Sequence, residues 1–593
     1  MNIIDIFRKK ALKLICECGF CENVVITKPP KGFGDFTIST FSFAKMINKP
    51  PQEVAKEITQ MLQEKDEGDF EKIVASGPYV NFYINTEKLA EIVFKTIIEE
   101  KVNYGKGEKK KETIILEHTS ANPNGPLHVG RARNPMIGDT LAKILRFAGY
   151  DVKTWYWVND VGKQVASLAW GVMNLSKEDV KGYLKESNPG NDREMLPDWL
   201  ARLEDKEDHK LVPYYQEVSR RLKENDKIVD EGITWLIREL ENGNPNALSK
   251  VKKICDRVLD GMKETLEIMN VNIDEFVYES KTISEGVVKK VIEGLKRSKY
   301  AKEEDGAYYL DLEEFGIAGM SSKFYFARSD GTSLYATRDI AFHIDKLSKS
   351  DIALNILGED HKLEAKQLEI ALSELGIKKK PESIFYSFVS LPEGKMSTRA
   401  GRVVYLDDLI IESIIRAYQE VTKRRPDLTS EERWRIAKSV GIGAIRYNIV
   451  KVQAEKQIVF KWEEALNFEG NSAPFVQYAH ARACSILEKA KEDGLEYKEY
   501  DVKALKEEYE KRLVKSLAFM NEVIEECARE RKTHPLPAYA HEIATLFNQF
   551  YKYVPVLKAE DRERNVRLAL VDATRVVLRN CLQVMGIEAI EEM

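Results

Sequence analysis

The sequence predicts a multidomain protein, α/β plus all-α. It comprises a small α/β N-terminal domain, a parallel-sheet domain split by an insertion, and a C-terminal helical bundle. Three observations predict it. A chain of 593 residues is too long for one core, and 43% hydrophobic with 32% charged residues is an ordinary globular composition. Between residues 113 and 391, apolar runs of strand length alternate with helical patterns. From about residue 405 onward the 3.6-residue helical period takes over.

Residues 1–110 open with the amphipathic helix MNIIDIFRKKALKLI. They continue through GDFTISTFSFAK (Gly34 to Lys45) to the alternating strand GPYVNFYIN (Gly77 to Asn85). Aromatics on such a strand can stack on bases if exposed, but core is their commoner role. The polar run YGKGEKKK (Tyr104 to Lys111) marks the boundary. Cys16, Cys18 and Cys21 stand close together, but no further Cys or His follows until His118. The three are therefore read as small residues at a helix end rather than zinc ligands, and no metal site is assigned. Seven scattered cysteines suit a reducing compartment, and neither a membrane span nor a signal peptide is read, so the expectation is a cytoplasmic protein. The net charge of −5 and pI near 6.1 exclude a generally basic coat but leave room for one local basic face.

Residues 111–170 read as one βαβ unit: the apolar run Thr113 to Leu116, the loop ANPNGPLHVGRARN (Ala121 to Asn134), a helix through Met136, Ile137, Leu141 and Leu145 closed by Gly149, and a strand at Val152 to Val158. A loop between a strand's carboxyl end and a helix's positive end offers free N–H groups and a dipole to a polyphosphate. His128 and Arg131 add cationic donors there, and Gly130 lets a flat group approach. Residues 171–285, with ESNPGNDREMLPDW and charge-rich helices such as Tyr214 to Asn225, read as an insertion. In residues 286–404 the sheet is expected to resume, with strands at Ala307 to Leu312 and Lys323 to Ala327, a turn RSDGTS, and the helix LYATRDIAFHIDKL. That helix carries Tyr335 and Asp339 on one face. A strand at Ile352 to Leu357 leads into GEDHKLEAKQLEIAL, and one at Ser383 to Leu391 into PEGKMSTRAGR, whose Lys395, Arg399 and Arg402 suit a second phosphate clamp. Residues 405–465 form a helical linker. Residues 466–593 form the bundle, whose last helix repeats Leu568, Val571, Arg575 and Leu578 and offers Arg564, Arg567 and Arg579 for phosphate contacts.

The pairing of Asn122-Pro-Asn-Gly-Pro-Leu-His-Val-Gly130 with Lys395-Met-Ser397 resembles the two signatures of class I aminoacyl-tRNA synthetases. LEHTSANPNGPLHVGR, WVNDVGKQ, SDGTSLYATRDIA, GEDHKLEAKQ, KMSTRAGRVVYLDD, FVQYAHARACSIL and the ending DATRVVLRNCLQVMGIEAIEEM resemble the arginyl-tRNA synthetase family, of archaeal-like type, over nearly the whole chain. The resemblance implies a class I Rossmann-like catalytic domain, ATP and Mg2+ as cofactors, L-arginine and tRNA(Arg) as further partners, and a monomer. It also implies activation of arginine by in-line attack of its carboxylate on the ATP α-phosphate, then transfer to the 3′-terminal adenosine.

By the same resemblance, His128, Lys395 and Arg399 are catalytic. ATP falls on Pro126, Leu127, His128, Gly130, Arg131, Asn134, Gly358, Asp360, His361, Lys395, Met396 and Ser397. Arginine falls on Glu117, Ser120, Asn122, Tyr335, Asp339 and His361, with Asp339 and Tyr335 at the guanidinium and Glu117 and Asn122 near the α-amino and carboxylate end. The tRNA falls on Tyr79 and Asn81 in the N-terminal domain and on Tyr478, Arg482, Arg575 and Met593 in the bundle. The sequence departs from the family pattern at three places: Thr398 stands where the second signature's second lysine is usual, Arg131 where histidine is usual, and Gly125 where a lysine sometimes stands. Two other readings share the scaffold: a catalytically idle RNA-binding protein, and a class I enzyme for another amino acid.

Overall fold

The computed structural model describes residues 2–22, 24–30, 32–183, 196–390, 404–495, 497 and 499–593. Its organising element is a five-stranded, all-parallel sheet: β1 (Thr113–Glu117), β2 (Asp151–Val158), β3 (Glu275–Tyr278), β4 (Ile352–Gly358) and β5 (Glu382–Tyr386), in spatial order β5-β4-β1-β2-β3. The chain builds outward from β1 in one direction, then returns to lay β4 on its other side. The carboxyl ends of β1 and β4 therefore flank the topological switch point, where such sheets hold ligands. The register sets Asn355 beside Glu117. Because side chains alternate along a strand, these two project from the same sheet face.

Each face is covered by a helix. Helix α1 (Arg133–Phe147) packs with Leu116, Tyr156, Leu354 and Ile356 in the large core. On the other face lies α2 (Tyr335–Lys349), whose Phe342 stacks at 4.0 Å on Trp157 in a small cluster with Ile115, Trp155 and Val277. Between β4 and β5 runs α3 (Lys362–Glu374).

Two expectations change here. Strand β3 lies inside the stretch read as an insertion, yet it pairs with β2 as the sheet's edge. The strands Ala307–Asp311 and Lys323–Ala327 do not resume the parallel sheet; with Ala301–Glu304 they form a separate antiparallel one. Alternating burial marks a strand without naming its partner, so the local signal was the same in both cases.

The N-terminal domain is a four-stranded antiparallel sheet against helices Ile3–Glu17, Pro51–Lys65 and Thr86–Glu100. Cys16 and Cys21 form a disulfide, and Cys18 is free and buried, which replaces the reading of all three as mere small residues. This domain is tied to the C-terminal bundle: Tyr104 Oη donates to Leu517 O at 2.8 Å, and Asn580 Nδ2 donates to Lys101 O and Tyr104 O. No helix among the described residues is long and apolar enough to cross a membrane.

Candidate functional site

Acidic side chains collect at the carboxyl ends of the strands. Glu117 closes β1, Glu279 follows β3, and Asp160 follows β2, where it accepts from Ser280 N and Oγ at 2.8 and 2.6 Å. Helix α2 then brings Tyr335 and Asp339 over the same end. Desolvation raises the Tyr335 hydroxyl well above the usual phenol range, although the residue as a whole is half exposed, and the negative charges of Asp339, Glu279 and Glu117 add to the shift in that order.

Their partners differ. Glu117 Oε2 receives Lys346 Nζ at 2.6 Å, and Oε1 receives Ser120 Oγ at 3.0 Å. Glu279, fully buried, pairs with Arg338 through Oε1, while its Oε2 has no hydrogen-bond partner among the described residues. Burial pushes this carboxyl up to about 7 against the opposing pull of Arg338. Asp339 meets only His343, at 3.1 Å, and no lysine or arginine among the described residues.

The turn after β1 is strained in order to shape the site. Thr119 and Ser120 have φ of +70° and +39°, unusual for residues with a Cβ. They are held there by Asn134, which accepts from Thr119 N at 2.6 Å and donates to Ile356 O at 2.9 Å. Both ends of that amide are thus committed to clamping the ends of β1 and β4. Ser120 Oγ also receives Trp157 N at 3.0 Å. Behind the turn, burial pushes the imidazole of His118 down to about 4, and Gly138 on α1 is the space its ring needs, since a Cβ there would stand 2.3 Å from His118 Cβ.

In the His128 turn the expectation of free backbone donors fails. The N–H of Val129 bonds Val404 O, that of Gly130 bonds His128 Nδ1, that of Arg131 bonds His128 O, and that of Ala132 bonds Val129 O. The short 3-10 turn preceding α1 uses three of these donors itself, and Val404 takes the fourth. What remains for an anion is side-chain chemistry. His128 Nδ1 accepts from Gly130, so the neutral ring carries its proton on Nε2 and presents a donor outward. Partial burial and then Arg131 lower the pKa of this ring, which favours the neutral form. Arg131 is exposed, 3.5 Å from Asp360 and stacked on Phe388 at 5.6 Å. Leu127 O accepts from Leu406 N. Val389 packs near Gly130, and Val404 lies against the same turn. Lys395, Met396, Ser397, Arg399 and Arg402 lie outside the described residues.

The other expected residues are placed as follows. Asn122 donates to Gln164 at 2.7 Å, as Asn124 does at 3.2 Å, so the WVNDVGKQ stretch braces the loop. Pro126 and Leu127 are buried. Gly358 has Asp360 Oδ1 2.3 Å from where a Cβ would be. His361 engages Glu364 at 2.7 Å and Asp360 at 3.8 Å rather than the Tyr335–Asp339 group. Gly125, the departure from the family pattern, packs on Val212, which a Cβ would approach to 2.6 Å. Away from this site, Tyr79 is exposed beside Phe41, but Asn81 is 4% exposed and faces inward. Tyr478 is exposed with Arg482 stacked on it and on Tyr551. Arg575 pairs with Asp572, and Met593 O accepts from Arg425. Arg567 is buried against Glu510 and Arg564 pairs with Asp561, so neither is the free cation expected from the helix pattern.

Sequence reasoning missed Glu279, His343, Lys346 and Asn355. The signal for two of them was present: Tyr335, Asp339, His343 and Lys346 follow at spacings of four, four and three, a polar stripe on one helix face.

A parallel sheet covered on both faces, with carboxylates and a cationic turn at its switch point, defines an α/β protein of the nucleotide-binding class. The family model "tRNA synthetases class I (R), catalytic domain" matches residues 93–188 and 193–462, "Arginyl tRNA synthetase N terminal domain" matches residues 2–84, and "DALR anticodon binding domain" matches residues 476–593. The chain is 46% identical over 553 residues to the arginine–tRNA ligase of Methanocella arvoryzae, covering 93% of this chain and 92% of the relative. It is 42% identical to that of Methanocaldococcus jannaschii over 99% and 98%. Among solved structures, Thermus thermophilus arginyl-tRNA synthetase superposes with a TM-score of 0.78 at 27% identity, over 98% of this chain and 99% of that one. The chain belongs to the arginyl-tRNA synthetase family of class I.

Proposed function

We propose that the chain activates L-arginine with ATP and transfers it to the 3′-terminal adenosine of tRNA(Arg), with the guanidinium held at Asp339. The single observation carrying the arginine assignment is the unequal pairing of the carboxylates. Lys346 and Arg338 already answer Glu117 and Glu279, whereas Asp339 has only a histidine. A planar, permanently charged guanidinium supplies the missing cation, Tyr335 lies against its face, and Glu279 Oε2 offers a further acceptor.

In the reaction a carboxylate oxygen of arginine forms a bond to the α-phosphorus as the bond to the pyrophosphate oxygen breaks. No protein nucleophile is needed, and positioning with charge stabilisation provides the rate. His128 Nε2–H and Arg131 donate to phosphate oxygens, and Gly130 seats the His128 ring, since a Cβ there would stand 3.0 Å from Nδ1. Asn134 acts as the brace that keeps Thr119, Ser120 and hence Glu117 in place. The resemblance assigns Lys395 to the departing pyrophosphate. By the resemblance, magnesium would accompany the ATP and bridge charge on its phosphates. Exposed Tyr79, Tyr478 and Arg482 supply stacking surfaces for tRNA.

The test is ATP–pyrophosphate exchange with each standard amino acid in the presence of total tRNA, followed by charging. Arginine alone should sustain both; exchange sustained by a different amino acid, or none at all, would overturn the assignment.

A further inference from the structure

Behind the pocket lies a buried chain of side chains that touches neither proposed substrate. Lys346, Asn355 and His343 are 0%, 1% and 3% exposed. Lys346 Nζ meets Glu117 Oε2 and Asn355 Oδ1; Asn355 Nδ2 lies 3.0 Å from His343 Nε2; His343 Nδ1 lies 2.9 Å from Asp339 O and 3.1 Å from Asp339 Oδ1. The sheet register that sets Asn355 beside Glu117, with the stripe on α2, is what lines them up.

The chemistry of each group leaves one direction of donation. A lysine ammonium only donates, so the Asn355 oxygen faces it and the Asn355 amide nitrogen faces His343. That nitrogen only donates, so Nε2 must accept, and the ring's proton sits on Nδ1, opposite two oxygens of Asp339. We infer that Lys346, Asn355 and His343 are positioning residues: the lysine's fixed polarity is passed through the amide to lock His343 as the neutral Nδ1–H tautomer, which orients the Asp339 carboxylate for the guanidinium. The same ammonium neutralises Glu117, so of Glu117, Glu279 and Asp339 the one that no lysine or arginine among the described residues answers is the one the relay aims. The inference rests on the arginine reading above.

The two amide substitutions of His343 separate this from a packing role. In His343→Asn the amide nitrogen takes the place of Nδ1 and can still donate to Asp339; in His343→Gln it takes the place of Nε2 and cannot. In arginine-dependent pyrophosphate exchange, His343→Asn should keep KM for arginine within about threefold of wild type, while His343→Gln should raise it about tenfold or more, the size of a lost hydrogen bond to a charged group. KM for ATP should change in neither. Equal KM values for arginine in the two variants would overturn the relay. If neither variant folds, the isosteric Asn355→Asp decides: its second oxygen facing Nε2 reverses the polarity, so KM for arginine must rise about fivefold or more, and an unchanged value overturns the relay. Wild-type exchange driven by an amino acid other than arginine would instead overturn the functional reading on which the relay rests.

Discussion

Replacing Asn134 by alanine separates bracing from ATP contact. The side chain holds Thr119 N–H and Ile356 C=O, both at the buried switch point. A buried backbone group stripped of its partner costs about 1–3 kcal/mol, so the two together cost about 4. Against this, Thr119 is held at φ +70° partly by that bond, and relaxing one such residue returns about 2 kcal/mol. A net loss of about 2 kcal/mol is expected, read as a fall in the urea midpoint at unchanged slope. The relaxed turn also withdraws Ser120 Oγ from Glu117 and from Trp157 N, so KM for arginine should rise about tenfold, equivalent to 1.4 kcal/mol, with KM for ATP nearly constant. A variant of unchanged stability whose KM for ATP alone rises would refute this reasoning and restore Asn134 as a nucleotide contact.

Asp339→Asn should abolish arginine-dependent exchange while a filter-binding assay still shows tRNA bound; normal charging by this variant would remove Asp339 from the pocket. Glu279 gives a pH signature. Its carboxyl is raised by burial from 4.5 to about 7, so the stability it contributes is fully present below pH 4.5 and is lost as pH rises to about 7. Arginine favours the ionised form, so KM for arginine should fall as pH rises from 6 to 8, and Glu279→Gln should flatten that dependence; a wild-type KM independent of pH counts against it. Removing residues 1–105 should weaken tRNA affinity and flatten its salt dependence, but it also strips Tyr104 from Leu517 and Asn580 from its two carbonyl partners. Circular dichroism should therefore show an earlier thermal transition in the remaining chain, and an unshifted transition would refute the docking role.

What was legible in the sequence was what is periodic or punctuated. The strand at Thr113, the helix closed by Gly149, the stripe bearing Tyr335 and Asp339, and the two signatures all speak through neighbours close in the chain. What was not legible depends on pairing across long separations. Glu275–Tyr278 is four residues between helices, and only its ladder with β2 shows that Glu279 directly follows a strand of the main sheet. Lys346 reads as one more helix-surface lysine until the register of β4 on β1 sets Asn355 and Glu117 beneath it. The His128 turn misled for a related reason. Glycines and a helix start imply open N–H groups, but Val404, some 275 residues on, takes one of them and the histidine itself takes another.

The far side of the site scaffold is held by the same economy of charge. Helix α1 follows the His128 turn, and one helical turn inside its buried face Asp139 meets both Lys143 and Arg446. Burial alone would raise that carboxyl, yet the two cations outweigh it and hold it below the usual range, while Lys143 is pushed down to about 8 by its own burial. Arg446 also donates to Met585 O at 2.9 Å and Met269 O at 2.6 Å, and the carbonyl of Gly586 receives Asn270. Gly586 leaves the space: a Cβ there would stand 2.2 Å from the guanidinium. One ionised carboxylate on the catalytic helix therefore fixes a guanidinium from the helical linker. That guanidinium in turn fixes the end of the last helix and the segment leading into β3. A shift of the C-terminal helix end is passed to α1, because the partners of Arg446 are backbone carbonyls at Met269, Asn270 and Met585 and side chains of α1 itself, Asp139, Thr140 and Met136. It must move α1, and with it Asn134 and the strained turn that shapes Glu117.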